Sequence, residues 1–120
     1  MAEVSTRPVR VRLTMACGPG PEVDAWPTPV PGLVIHRSWG QPGDVWTITQ
    51  QHSGVALAAC LPSPEHALGC AIELGELADW TGPVDYDAVS PAATRIVTRW
   101  GAGASVSVTR GTARAAGAIL

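Results

Sequence analysis

Residues 45–79, VWTITQQHSGVALAACLPSPEHALGCAIELGELAD, read as strand, tight turn, strand and one amphipathic helix. In the first six, Trp46 and Ile48 alternate with Thr47 and Thr49. Period two with aromatic and β-branched residues marks a strand that buries one face. Polar Gln51-His52-Ser53 then closes on Gly54, which tolerates the positive φ that tight connections require. The run 55–61 is nearly all apolar. Strict alternation puts Val55, Leu57, Ala59 and Leu61 on one face. Small Ala56, Ala58 and Cys60 lie on the other, where a second element can approach closely.

Pro62-Ser63-Pro64-Glu65 is the strongest local signal. Ser63 is suited to accept from a free amide of the first helical turn. Pro64 fits the first helical position because it lacks an N–H that would go unpaired there. Glu65 faces the positive end of the helix dipole. The pattern predicts a helix over 64–79 with Ala67, Leu68, Ala71, Ile72, Gly75 and Ala78 on one stripe, laid on the sheet.

Outward from this unit, residues 1–8 read as a loose arm. Val9–Met15 alternates Val9, Val11, Leu13 and Met15 inward with Arg10, Arg12 and Thr14 outward, which predicts a strand. Residues 17–32 hold five of the eleven prolines and are predicted to be an irregular connection, with Trp26 as an apolar anchor. LVIHR at 33–37 reads as a strand, and WGQPGD at 39–44 as a turn-rich link. After the stop at Trp80-Thr81-Gly82-Pro83, Ser90-Pro91 repeats the cap logic and predicts a shorter helix over 91–100. A Gly/Ala-rich basic segment, 101–120, follows, with a short strand predicted at 105–109. The predicted fold is one α+β domain over 9–100. It has an antiparallel sheet of three to five strands, a main amphipathic helix and a shorter C-terminal helix. Val9, Val11, Leu13, Ile48, Leu57, Leu68 and Ile72 are expected in one contiguous core.

At 46% hydrophobic and 15% charged residues, the chain carries enough apolar material for a core, which excludes wholesale disorder. Lysine, phenylalanine and asparagine are absent while Ala, Gly, Val, Pro and Arg abound, the composition of a GC-rich genome such as an actinobacterium or its phage. No apolar run is long enough to cross a bilayer. The charged N-terminus lacks the apolar stretch of a signal peptide, and the odd count of three cysteines has no paired spacing. Both point to the cytoplasm. Charge is segregated. Residues 38–94 hold seven acids and no arginine, whereas Arg95, Arg99, Arg110 and Arg114 follow without an acid. The basic segment either pairs with the acidic middle or faces a nucleic acid or acidic partner.

Cys60, His66, Cys70 and His52 lack the paired spacing of a zinc site, and no metal is predicted. His52-Ser53 has neither an oriented base nor an oxyanion hole, and no phosphate loop or dinucleotide fingerprint occurs. No catalytic residue or cofactor is predicted. Of five tryptophans, Trp39, in a turn beside Arg37, is the first candidate for an exposed contact, because tryptophan is enriched at binding hot spots.

The unit Trp46-x-Ile48, Gly54 and Leu61-Pro62-Ser63-Pro64-Glu65-x-Ala67 resembles the AP2-like, arm-type DNA-binding domain of phage integrases. That resemblance implies a sheet laid in the DNA major groove, with Thr47, Thr49 and Gln50 at strand positions that are often basic in the family. Residues 33–80 also resemble short proteins of actinobacterial mobile elements and phages, which implies no function. The leading expectation is a non-enzymatic accessory or regulatory module acting through protein contacts or self-association. Arg37, Trp39, Arg95, Arg99, Arg110 and Arg114 are its candidate contacts. The alternatives are a DNA-binding accessory protein and a small enzyme.

Overall fold

The computed structural model describes residues 7–15, 17–41 and 43–101. The predicted strand at 105–109, with Arg110 and Arg114, lies outside the described residues. The fold is α+β. Five antiparallel strands, β1 (Val9–Met15), β2 (Gly18–Pro27), β3 (Leu33–Arg37), β4 (Trp46–Gln50) and β5 (Ala56–Leu61), are paired in chain order. Among the described residues two helices follow, α1 (Pro64–Leu74) and α2 (Tyr86–Arg99).

Register sorts the side chains of the central strands. Ile35 pairs with Ile48 and Leu33 with Gln50, while Val34 pairs with Thr49 and His36 with Thr47. Directly opposed residues share a face. Leu33, Ile35, Ile48, Leu57 and Leu61 therefore form the helix-side core with Leu68, Ala71 and Leu74 of α1 and Ile96 and Val97 of α2. The rear face has its own core of Val11, Leu13, Ala25 and Val34. The expected single core is thus two cores on opposite faces of one sheet.

The rear core exists because the β1–β2 hairpin folds back across the sheet. The Thr14 amide donates to the Gly54 carbonyl at 2.9 Å, and the Thr14 hydroxyl to the Ser53 carbonyl at 2.6 Å. These bonds tie β1 to the β4–β5 turn. All five residues of β4 are consequently buried, Thr47 and Thr49 included, where alternation predicted one wet face.

The irregular connection expected over 17–32 is instead largely β2. Pro19 and Pro21 lie outside the short β2–β3 pairing, which takes in Trp26 and Pro27, the last residue of the strand. Pro21 sits where the β1–β2 register slips, opposite Leu13. In β5 the register with β4 slips twice, so Leu57 and Ala58 are both buried. Cys60 sits at φ 63° and is exposed. Those bulges replace the strict alternation read from 55–61.

Helix α1 starts as predicted, with the Ser63 hydroxyl accepting from the His66 amide at 3.1 Å. It ends at Leu74 rather than at 79. The Leu74 carbonyl accepts from the Trp80 indole at 2.9 Å, and the chain turns back to bury that indole. Ile72 is exposed because it lies about 40° beyond Leu68 around the helix, off the buried stripe. Helix α2 begins five residues before the predicted start: Asp85 caps it by accepting from the Ala88 amide, and Pro91 lies inside. Pro91 forfeits one hydrogen bond near the N-terminus, and the Asp85 cap and Asp87 in the first turn favour the helix start against that cost.

The helices are clasped at one point. Arg99 donates to Glu73 at 2.7 Å, and the Trp100 indole donates to the other Glu73 oxygen at 3.0 Å. The Trp100 ring lies on Gly69, where any Cβ would overlap it. We expect Gly69→Val to displace Trp100 and destabilise the fold by about 1–3 kcal/mol, read from urea unfolding.

Candidate binding site at the Trp39 corner

The β3–β4 connection presents Trp39. The Ser38 amide donates to the Val45 carbonyl at 2.9 Å, closing a hairpin loop. Trp39 itself is 55% exposed. Arg37 pairs with Asp44 across the loop at 3.1 Å, and its guanidinium lies 5.8 Å from the Trp46 ring centre. Trp26 meets Trp46 edge-on with centroids 6.1 Å apart, so Trp26 does anchor its segment. Within this stack the Trp46 indole nitrogen is buried without a hydrogen-bond partner among the described residues. Both partners of the Arg37–Asp44 pair are exposed, so the pair orders the loop and adds little stability.

Trp39 stands between two depressions. Past their short pairing, β2 and β3 diverge, leaving a cleft of about 380 Å³ lined by Val23, Asp24, Trp26, Arg37 and Trp39. On the rear face, Leu13 and Met15 of β1 lie across from Ala56 and Ala59 of β5. The cavity between them measures about 150 Å³, with Trp39 also in its wall.

The lining of that cavity includes the hydrogen-bonded polar side chains of His36, Thr47 and Thr49. His36 Nδ1 lies 2.8 Å from the Arg37 carbonyl, which only accepts, so Nδ1 carries the proton. Nε2 then accepts from the Thr49 hydroxyl at 2.8 Å. Beside them the Ser38 and Thr47 hydroxyls are 2.7 Å apart. The arrangement resembles a hydroxyl–imidazole dyad, but no oxyanion donors converge on it, and Thr49 is wholly buried.

Burial holds the His36 pKa below its ordinary value, since the charged ring has lost its water. In the unfolded chain the ring takes a proton around pH 6.5. The unfolded state therefore binds more protons below that pH. The stability contributed by the neutral ring is complete above pH 6.5 and is lost as pH falls towards the depressed folded value. We expect the midpoint of thermal unfolding to drop between about pH 7 and pH 5, and His36→Gln to flatten that slope.

The remaining candidates lie elsewhere. Arg95 is exposed on α2, and Arg99 is held by Glu73 on α1, so neither joins Arg37 and Trp39 on the β3–β4 hairpin. Cys60 is exposed, Cys70 is buried, and His66 Nδ1 contacts the Ser63 hydroxyl at the helix cap. Burial, with Glu73 nearby, pushes the Cys70 thiol up to about 12, which makes it inert. Among the described residues no three His, Cys, Asp or Glu side chains are grouped to hold a metal. His52 and Ser53 stay in the turn. The Ser53 hydroxyl donates to Gln50 Oε1 at 2.8 Å and meets the Tyr86 hydroxyl, which also donates to Gln50. Gln50 Nε2 in turn holds the Trp80 and Gly82 carbonyls.

His36 and Ser38 were not among the residues that sequence reasoning selected. Their signal was the second face of LVIHR, where Val34 and His36 alternate with Leu33 and Ile35, but nothing local shows that this face is covered.

Comparison of the chain with protein-family models, with curated proteins and with solved structures finds no match.

Proposed function

We propose that the protein is a non-enzymatic accessory or regulatory module that works through protein contacts made at the Trp39 corner. One observation carries this reading. Among the described residues Trp39 and Ile72 are the exposed large hydrophobics, and Trp39 alone of the two stands between a cleft and a cavity. An exposed indole beside concave surface supplies large contact area at low entropic cost, the pattern of an interface hot spot. A second copy of the chain is one form such a partner takes.

The DNA-binding reading is weaker. Arg10 and Arg12 pair with Glu22, Arg37 with Asp44 and Arg99 with Glu73, so these guanidinium groups already face carboxylates. Each phosphate contact adds about 0.9 to the log–log salt slope of duplex binding. We place the protein in the cytoplasm, where the exposed thiols of Cys17 and Cys60 stay reduced. No helix among the described residues is long and apolar enough to cross a membrane.

The test is nuclease-treated affinity capture with wild type and Trp39→Ala, beside duplex-DNA titration at two salt concentrations. We expect a protein retained by wild type and lost with Trp39→Ala, and no salt-dependent DNA binding. Equal retention by both proteins, or tight DNA binding lost in an Arg95→Ala/Arg99→Ala variant, overturns the proposal.

A further inference from the structure

We infer that the rear cavity between β1 and β5 is a binding site for a small uncharged ring bearing one hydroxyl or amide group. The site shares its Trp39 wall with the partner contact above, but ligand binding is read without any partner present and does not require that contact.

Size sets the ring. The cavity measures about 150 Å³. A space on the order of 150 Å³ takes one benzene-sized molecule, and this one is open to solvent on one side, which gives the ring its entry. Its room comes from the small side chains of β5: Ala56 and Ala59 stand where larger residues would fill the space from within. Leu13, Met15 and the Trp39 indole supply the apolar walls.

The lining sets the charge. Among the described residues it contains no Asp, Glu or Arg, and His36 is buried and neutral. An ionised ligand would lose water there without meeting a counter-charge.

The polar side chains set the substituent. The Ser38 and Thr47 hydroxyls own two protons, and only one lies between them. The Cys60 amide donates to Ser38 Oγ at 3.4 Å, so that oxygen is already an acceptor. When Ser38 donates to Thr47, the Thr47 proton is left for a ligand. Thr49 spends its proton on His36 Nε2 and is wholly buried, so it orients the ring and does not itself meet a ligand. The Thr47 hydroxyl is thus the one polar handle the lining turns to a ligand, and a single hydroxyl or amide matches it. A few placed polar groups in a mostly apolar hollow is the usual composition of a small-molecule site.

The test uses phenol, benzene and benzoate as probes, followed by NMR of the His36 ring, the Trp39 indole and the Thr47 and Thr49 amides. We expect phenol to give saturable shifts confined to these groups, benzene to bind more weakly, and benzoate to give none. Ala59→Leu, which fills the cavity, should abolish the phenol shifts. Thr47→Val, which removes the donor at similar volume, should weaken phenol about fivefold and leave benzene unchanged. Phenol shifts that fail to saturate or that spread over the surface would refute the site. So would shifts that survive Ala59→Leu, or benzoate binding as well as phenol.

Discussion

Gly54→Val is expected to destabilise the protein by about 2–6 kcal/mol, the sum of backbone strain and overpacking. Gly54 has φ +76°, a region that β-branched residues avoid. A Cβ there would also overlap the Arg12 carbonyl oxygen, which belongs to the strand that folds across the rear face. The substitution therefore opposes the turn and the return of β1 together. It should release the Thr14–Gly54 bond and expose Thr47, Thr49 and His36. Gly40 separates the two effects. Its φ is +78°, yet among the described residues nothing beyond its own chain neighbours lies within 4 Å of a Cβ built there. Gly40→Val should cost only the strain, about 1–3 kcal/mol. Urea midpoints for the two variants measure the difference, and equal losses would mean that the β1 contact adds nothing.

Trp80→Ala is the second large effect. Trp80 is 1% exposed, the largest fully buried side chain among the described residues. Its indole caps α1 through the Leu74 carbonyl and packs against Tyr86 at 6.4 Å. Truncation should cost about 3–5 kcal/mol from lost burial and cavity formation. Domains of this size have only about 5–15 kcal/mol in hand. The same change at Trp39, 55% exposed, should stay within about 0.5 kcal/mol. Calorimetry on both variants gives the comparison. It also establishes that loss of partner binding in Trp39→Ala is not loss of fold.

What was legible in the chain was local. The Val9–Met15 alternation, the β4 alternation and the Ser63-Pro64 cap each encode their element within a few residues, and each element begins where its signal lies. What was not legible depends on residues far apart in sequence. Prolines argue against a strand at 17–32 unless that strand is paired mainly along one edge, as β2 is by β1. The Ser90-Pro91 signal was overridden: Asp85 and Ser90 are comparable caps, and the helix starts at the earlier one, with Tyr86 and Val89 packed against the core. Thr47 and Thr49 read as solvent-facing and are buried, since the covering strand is placed by bonds from residue 14 to residues 53 and 54. The candidate site was half visible. Exposure of Trp39 followed from its Gly-rich turn, whereas the cavity beside it required β1 to return.

The claim that Trp39 is the contact point is tested most directly by site-specific photo-crosslinking. A photoactivatable amino acid is placed at position 39 and, as a control, at Glu65 on the exposed start of α1. Each full-length variant is then irradiated in nuclease-treated extract. We expect one discrete protein adduct, or a dimer of the chain itself, from position 39 and none from position 65. No adduct from position 39, the same adducts from both positions, or an adduct seen only when nuclease is omitted would contradict a protein contact centred on Trp39.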